Sequence, residues 1–304
     1  MRWSALLLAG LLGCGTPAPA PAPAPETASE TPTTSPAPTP SAAWPDSPGL
    51  HAVATISAFR KAPRRVAGDR AGLRLAILGE RGRRIAFLAP GRAPSLVKLP
   101  IDLDGRDLAW DGDLVVVADH GRKVLAWVDD AGKVVRQEPV TDGRIRPRSR
   151  PDGALIRVDQ LDRPYLEAEP AWRGVPAPND LMVRATNNKA GPLLQIVGPD
   201  GDRRRALLAS IPKARKPLVF GMEPVSDPLQ GWMAVWSDAK EGGEELHVVR
   251  FDGSGRVLHT ERVPNTAMFS VVAADRVALA HPTDGGLQVD LLVPPSQEAP
   301  SSSP

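Results

Sequence analysis

The feature that most constrains the fold of this chain is a segment pattern that recurs about every forty residues. Its clearest copy spans residues 107–135, where four short runs rich in Val, Leu and Trp are separated by turns at Asp111-Gly112, His120-Gly121 and Asp130-Ala131-Gly132. Gly and Asp readily adopt the backbone conformations of tight turns. Short apolar runs joined by such turns are typical of consecutive antiparallel strands, so each copy predicts a β-meander.

Further copies of the pattern fill the body of the chain between Gly49 and Pro294, which has room for six units of about 41 residues. A single four-stranded sheet leaves both of its faces exposed, whereas sheets packed around a ring bury one another's faces and leave only short edges. We therefore predict an all-β protein, a β-propeller with six blades of four antiparallel strands each, with five blades as the alternative. The recognisable copies are residues 75–88, 107–135, 152–159, 181–201, 232–258 and 275–281.

An apolar run at residues 50–59 precedes the first full copy of the pattern. A ring of blades has no free edge when a strand from one end of the chain completes the sheet formed at the other end. We therefore expect residues 50–59 to pair with the C-terminal strands and close the ring.

Residues 107–135 also resemble the NHL repeat. The resemblance rests on the Asp111-Gly112 turn, a strand ending in Ala118-Asp119, and a strand that runs into Asp129-Asp-Ala-Gly-Lys133. It covers about thirty residues and is degenerate in the other units. NHL proteins form six-bladed propellers that mainly bind partners, so the resemblance implies this architecture and a binding role.

The first fourteen residues have the layout of a secretory signal, with one positive charge before an apolar run. The run is too short to span a membrane, which takes about 20 apolar residues. It ends in Leu11-Leu12-Gly13-Cys14, which resembles the lipobox of bacterial lipoproteins. The resemblance implies a signal peptide over residues 1–14 that ends at a lipidated Cys14; the alternative is an incidental cysteine in an ordinary cleaved signal. Gly15 stands where Asp would imply retention at the inner membrane, so the outer membrane is favoured.

Residues 15–48 are rich in Pro, Ala and Thr, with eleven prolines between Thr16 and Pro48. Because proline fixes φ and lacks an amide donor, we predict a disordered, semi-extended tether that holds the next domain away from the membrane. A Pro-motif ligand for a partner's aromatic groove is the alternative. The propeller domain then occupies residues 49–294, and residues 295–304 form a disordered tail rich in Pro and Ser.

The composition excludes several function classes. A single Cys excludes a disulfide framework and Cys-cluster metal sites, and a net charge of +2 gives no general attraction for nucleic acid. The chain also lacks the motifs of serine hydrolases, zinc peptidases and phosphate-binding loops. We therefore predict an exported, lipid-anchored propeller that binds a protein or small-molecule ligand, with no cofactor, no metal and no enzymatic activity. The alternatives are an enzyme with a metal or acid–base site at the central tunnel, and a scaffold in outer-membrane assembly.

His120 and His281 follow corresponding strands of two units, so they are the candidates for such a tunnel site. Polar turn residues are the favoured interpretation, because no carboxylate recurs beside them in the sequence. The acidic spacing of Asp102-Leu-Asp-Gly-Arg-Asp107 hints at calcium, but the segment lacks the closing Glu and the turn Gly of a calcium loop. Asp119 ends a strand, and we expect its carboxylate to hydrogen-bond the following turn.

Arg146 and Arg148 alternate within residues 144–150, where the guanidiniums can share one side of an extended segment. Solvated arginines in turns are the favoured account of this segment. Tyr165 and Trp172 lie in the irregular third unit, and the loops of broken repeats often carry function. We predict a binding face formed by Tyr165, Trp172, Arg146 and Arg148. The tryptophans on predicted strands are assigned instead to packing between blades: Trp110, Trp127, Trp232 and Trp236.

Overall fold

The body of the chain is built of β-strands joined by turns. The structure is a computed structural model that describes residues 43–69, 74–141, 145–149, 155–158, 175–176, 182–188, 191–197, 203–207, 230–239, 243–252, 256–273 and 276–295. All of these residues belong to one unit, Pro40–Pro304. The described residues include no helix long and apolar enough to cross a membrane. In chain order the strands are β1 (Gly49–Ile56), β2 (Arg65–Asp69), β3 (Arg74–Leu78), β4 (Arg84–Leu88), β5 (Ser95–Lys98), β6 (Asp107–Asp111), β7 (Leu114–Asp119), β8 (Val124–Val128), β9 (Val134–Pro139), β10 (Arg146–Ser149), β11 (Leu155–Val158), β12 (Val175–Pro176), β13 (Met182–Asn188), β14 (Gly191–Val197), β15 (Arg203–Leu207), β16 (Gln230–Ala239), β17 (Gly243–Asp252), β18 (Val257–Val263), β19 (Met268–Ala273), β20 (Arg276–Thr283) and β21 (Gly286–Val293).

The strands form six sheets, one for each predicted blade. Counted over the described residues, four sheets have four strands, one has three and one has two. The prediction of an all-β propeller is confirmed, and the number of sheets agrees with six blades. Blades 1 to 6 are, in order, β2-β3-β4-β5, β6-β7-β8-β9, β10-β11, β12-β13-β14-β15, β16-β17-β18 and β19-β20-β21-β1.

Blade 2 illustrates how the repeated pattern produces a blade. The predicted turn joins β6 to β7, with Asp111 paired to Leu114 and Gly112 at φ 60°, a left-handed conformation that glycine adopts at little cost. The apolar residues of β7 and β8 are buried on both faces, because the sheet packs between two other blades. The outer strand β9 is mostly polar and exposed.

The first strands of four blades lie side by side around the ring. The amide of Gly68 on β2 donates a hydrogen bond to Ser270 Oγ on β19 at 3.1 Å. On the other side of β2, Trp110 Nε1 of β6 donates to the carbonyl of Ala67 at 3.0 Å. Ser149 Oγ of β10 donates in turn to the carbonyl of Trp110 at 2.7 Å. Blade 6 therefore lies directly beside blade 1, as a closed ring requires.

The N-terminal strand β1 completes blade 6. It pairs antiparallel with β21 from Gly49 opposite Val293 to Ile56 opposite Leu287. The expected pairing of the N-terminal run with the C-terminal strands is thus confirmed. Hydrogen bonds between the two ends of the propeller domain therefore join its first strand to its last blade.

Apolar clusters between neighbouring blades form the core. Trp110 packs among residues of blades 1 and 2, and Trp127 of blade 2 packs with Leu155 of blade 3. Trp232, 2% exposed, packs among residues of blades 5 and 6. The predicted packing of these three tryptophans between blades is confirmed, whereas the side chain of Trp236 lies outside the described part of the chain.

Other predictions fall on residues that the structure does not describe. These are the signal peptide with Cys14, the tether up to residue 42 and the tail from residue 296. Tyr165 and Trp172 of the predicted binding face also lie outside the described residues. Predictions about these residues stay predictions.

Candidate functional site

Charged residues begin the inner strands of three neighbouring blades. Arg65 is the first residue of β2, Asp107 of β6 and Arg146 of β10. Because these strands run side by side in the same direction around the ring, their first residues meet at one end of it. This end, with the turns that follow β3 and β7, is where titratable groups of different blades come into contact.

Asp107 is the centre of this cluster and is buried, with 5% of its surface exposed. Arg148 Nη1 donates to its Oδ2 at 2.9 Å, while Arg65 Nε lies 3.3 Å from Oδ1 and Arg146 Nε lies 3.8 Å from Oδ2. Burial alone raises the pKa of the Asp107 carboxyl, but the three guanidiniums outweigh it and hold the pKa below its usual value. Asp107 is therefore a fixed carboxylate that binds three blades together.

The positions of Arg146 and Arg148 correct one expectation. Solvation was the favoured account of this arginine segment, but Arg148 is only 8% exposed because Asp107 of the adjacent blade pairs with it inside the ring. The guanidiniums of Arg146 and Arg148 do lie on the same side of the segment, as expected, since both reach the carboxylate of Asp107. Arg144 and Arg150 lie outside the described residues. Arg146 keeps about a third of its side chain exposed, at 36%, so it alone of the pair remains accessible to a ligand.

His120 stands next to this cluster, directly after β7. Burial lowers its pKa, and the charges of Arg146 and Arg106 lower it further, against the opposing effects of Asp107 and of a hydrogen bond to the Ile145 backbone. The imidazole is therefore neutral at neutral pH. Its Nε2 is buried and has no hydrogen-bond partner among the described residues, and the Ile145 backbone lies near the ring. When the proton of the neutral ring is on Nδ1, Nε2 carries a lone pair that none of these residues satisfies.

The acidic segment before β6 is held by arginines and turn amides. Asp102 pairs with Arg122 at 2.6 Å, and Asp104 pairs with Arg64 at 2.9 Å. Asp119 Oδ1 accepts the amides of the following turn, at 2.9 Å from Gly121 and 3.0 Å from Arg122, which confirms the predicted turn hydrogen bond. Its Oδ2 accepts the Asp104 amide at 2.9 Å.

His281 lies in separate surroundings, on the face of blade 6 that packs toward blade 5. Its Nε2 is 2.9 Å from Asp290 Oδ2, and Gln288 Nε2 donates to Asp290 Oδ1 at 2.8 Å. Asp290 is buried, with 2% of its surface exposed. No carboxylate recurs beside the two histidines in the sequence, but neighbouring strands bring Asp290 against His281 and Asp107 within electrostatic range of His120. A tunnel site shared by the two histidines is not formed by these contacts.

Sequence reasoning missed Asp107 as the organiser of the site. The available signal was a charged residue at the start of the apolar run Leu108–Trp110, in the same position as Arg65 before Val66. Asp290 had a similar signal, as the one acidic residue inside the apolar run of β21. Within the described ranges, no three His, Cys, Asp or Glu side chains come together as a metal site would require.

Solved structures similar to this chain are β-propeller proteins. Regucalcin from Agrobacterium tumefaciens, a calcium-binding protein, has a TM-score of 0.51 and 14% identity, over 83% of this chain and 98% of its own. A luciferin-regenerating enzyme has a TM-score of 0.50 and 9% identity, over 83% and 96%. Virginiamycin B lyase from Staphylococcus aureus has a TM-score of 0.48 and 11% identity, over 81% and 99%. At these identities the likeness establishes the propeller fold alone.

The sequence itself matches no family model and no curated protein. The propeller architecture that the NHL resemblance implied is found. Membership of the NHL family and the binding role stay predictions. The prediction that the chain is not an enzyme is contradicted: it rested on missing motifs, and a structurally similar propeller is a luciferin-regenerating enzyme. Missing motifs do not exclude catalysis on this fold, because propellers assemble sites from separate blades.

Proposed function

We propose that this protein is an exported lipoprotein whose propeller binds a small hydroxy acid at the Asp107 site, the cluster of Asp107, Arg146, Arg148 and His120. In this proposal the lipid on Cys14 anchors the chain to the outer membrane, and residues 15–48 hold the propeller away from it. The lipobox resemblance and the Pro-rich composition support the anchoring and the tether.

The observation that carries the ligand proposal is the buried His120 Nε2, which has no hydrogen-bond partner among the residues that the structure describes. A buried acceptor without a hydrogen bond costs about 1–3 kcal/mol, which a donor from a ligand would recover. A ligand hydroxyl is such a donor. Arg146, within electrostatic range of the imidazole and partly exposed, supplies a guanidinium for a carboxylate on the same ligand. A hydroxyl and a carboxylate on one small molecule define a hydroxy acid.

Calorimetric titration of the full chain tests this proposal, with D-glucuronate and D-gluconate as probes and D-glucose as the uncharged comparison. We expect the acids to bind and glucose to bind at least tenfold more weakly. His120→Asn and Arg146→Gln should each weaken glucuronate binding at least tenfold, whereas Arg256→Gln, on an exposed turn of blade 5, should not. The proposal is wrong when neither acid binds, or when His120→Asn binds glucuronate as tightly as the parent chain.

Acid–base catalysis at the same site is a second candidate function, favoured by the neutral state of His120. The imidazole would take a proton from a water that attacks the carbonyl carbon of a lactone. It would then return this proton to the ring oxygen as the carbon–oxygen bond breaks, releasing the hydroxy acid.

Opening of D-glucono-1,5-lactone, measured against its spontaneous rate, tests the catalytic candidate. The protein-dependent rate should fall as the pH is lowered through the pKa of His120, which burial holds below its usual value, since protonation removes the base. It should also disappear in His120→Asn. An equal rate in the variant and the parent chain rejects catalysis by His120 and leaves the binding proposal to its own test.

A further inference from the structure

A pocket lies at the same end of the ring as the Asp107 site and shares no residue with it. Its volume is about 670 Å³. Its walls come from the segment between β1 and β2 and from the turn between β3 and β4. The connector between blades 6 and 1 and a turn of blade 1 therefore shape it. The lining residues are Ala58, Phe59, Arg60, Lys61, Gly79, Glu80, Arg81, Arg83 and Arg84.

The lining of this basic pocket is strongly cationic. Five of its side chains are Arg or Lys, against the single carboxylate of Glu80, which gives a net formal charge of +4 in one concavity. Lys61, Arg81 and Arg84 form no ion pair with any residue that the structure describes. In contrast, the carboxylates of Asp102, Asp104 and Asp107 are each paired with an arginine. The positive charge of the pocket is thus left for an anion from outside the chain.

Two of the guanidiniums are held in place without being neutralised. Arg60 Nη1 donates to the carbonyl of Asp284 at 3.1 Å. Arg83 Nη1 donates to the carbonyls of Ile101 and Leu103, the latter at 3.3 Å. A carbonyl fixes a guanidinium but does not cancel its charge, so both cations remain available for charge-assisted hydrogen bonds to a ligand.

The lining of the pocket also includes a rigid ring and a carboxylate with an unsatisfied oxygen. Phe59 is buried at 2% exposure, and a Cβ on Gly79 would come within 2.6 Å of its ring, so glycine is needed for this packing. Glu80 Oε2 is buried and accepts no hydrogen bond from the described residues. A buried carboxylate oxygen without a donor is unfavourable, which calls for a donor such as a ligand hydroxyl.

We infer that the basic pocket binds a phosphorylated sugar or polyol. Its phosphoryl group would lie against the arginines, whose planar forks match phosphate oxygens, and one hydroxyl would donate to Glu80 Oε2. The same chemistry occurs in a free sugar phosphate and in the headgroup of phosphatidylglycerol.

Calorimetry tests binding of the free sugar phosphate, and flotation with vesicles tests binding of the lipid headgroup. The full chain carries Cys14→Ser, so that no lipid anchor contributes to vesicle binding. The soluble probes are glucose 1-phosphate, inorganic phosphate and glucose. The vesicles contain phosphatidylcholine with or without phosphatidylglycerol.

The pocket variant Lys61→Gln/Arg81→Gln/Arg84→Gln is matched by Arg92→Gln/Lys133→Gln/Arg256→Gln, which removes the same charge from turns at the opposite ends of the sheets. Since all six side chains are exposed, both variants should keep the thermal unfolding midpoint of the parent chain. We expect the dissociation constant for glucose 1-phosphate to rise at least tenfold in the pocket variant only. If the parent chain floats with vesicles that contain phosphatidylglycerol and only the pocket variant does not, the ligand of the pocket is the lipid headgroup.

Glu80→Gln tests the hydroxyl contact. Because it removes a negative charge, inorganic phosphate should bind this variant as tightly as the parent chain or more tightly. Glucose 1-phosphate should lose its advantage over inorganic phosphate. The inference is overturned when neither glucose 1-phosphate nor phosphatidylglycerol binds, when both triple variants lose binding equally, or when Glu80→Gln changes both phosphates by the same factor.

Discussion

Arg148 and Asp107 form a buried ion pair between blades 3 and 2, with Arg148 Nη1 2.9 Å from Asp107 Oδ2. Both residues are more than nine-tenths buried. Removing two charges from water is costly, so such a pair is stable only when its geometry and remaining hydrogen bonds are good. Here the other oxygen of the carboxylate faces Arg65, and the Leu108 amide also donates to it. The pair therefore depends on three adjacent blades being in place.

Asp107→Asn should destabilise the propeller by about 3–5 kcal/mol, because it removes the negative partner from buried guanidiniums while keeping the shape of the side chain. Urea unfolding followed by tryptophan fluorescence measures the change. Asp130→Asn, at an exposed turn of blade 2, is the matched control and should stay within about 0.5 kcal/mol of the parent chain. Equal stabilities of the two variants would contradict a structural role for Asp107.

The contribution of Asp107 should depend on pH. Its pKa in the folded chain is lowered, mainly by Arg148 and Arg65 against the opposing effect of burial. The unfolded carboxyl titrates near pH 3.9, so the stabilisation is complete above that pH and is lost as the pH falls through the folded pKa. The difference in unfolding free energy between the parent chain and Asp107→Asn should therefore be constant from pH 7 to about 5 and shrink below pH 4. If this free-energy difference grew on acidification, the pKa of Asp107 would be raised in the folded chain and not lowered.

Gly68→Ala should weaken the junction of blades 6 and 1. A Cβ at Gly68 would lie 2.7 Å from Val272 Cα, so the inner strands β2 and β19 would have to separate. Overpacking of this kind costs about 1–3 kcal/mol, and the thermal unfolding midpoint should fall accordingly. Gly121→Ala is the comparison, since its nearest neighbour would be Asp119 Oδ1 at an ordinary 3.4 Å. Equal midpoints for the two variants would argue against close contact between these strands.

Cys14→Ala should release the protein from membranes. Stable anchoring takes more than one acyl chain, each contributing about 0.8 kcal/mol per buried CH₂, and the variant has no thiol to carry the lipid. Fractionation of cells with an alkaline wash measures the membrane-bound share. Ser4→Ala, within the same signal segment, should stay membrane-bound. A Cys14→Ala chain that remains fully membrane-bound would reject the lipid anchor.

The fold followed from the sequence because its signals are local. The Asp-Gly turns, the apolar runs and the forty-residue period each act within one blade, and Trp110 and Trp127 could be assigned to packing from their positions on strands. The sites depend on contacts between blades. Arg148 is buried only because Asp107, 41 residues earlier, lies on the next inner strand.

The basic pocket could not be predicted for the same reason. Its two walls are separate segments, one after β1 and one between β3 and β4, and a run of arginines has the same composition whether it is solvated or lines a cavity. Glu80 Oε2 and His120 Nε2 stand out only when the donors around them are known.

Nuclear magnetic resonance of the His120 imidazole tests the central claim most directly. In the free protein, burial lowers the pKa of His120, so the imidazole should titrate below pH 6.5 and be neutral at pH 7.5. Acceptance of a ligand hydroxyl by Nε2 further requires that this nitrogen be the unprotonated one. Saturation with D-glucuronate at pH 7.5 should then move the Nε2 resonance in the direction of a nitrogen that accepts a hydrogen bond. A His120 that titrates at or above pH 6.5, or an Nε2 resonance that glucuronate leaves unchanged, would contradict the account.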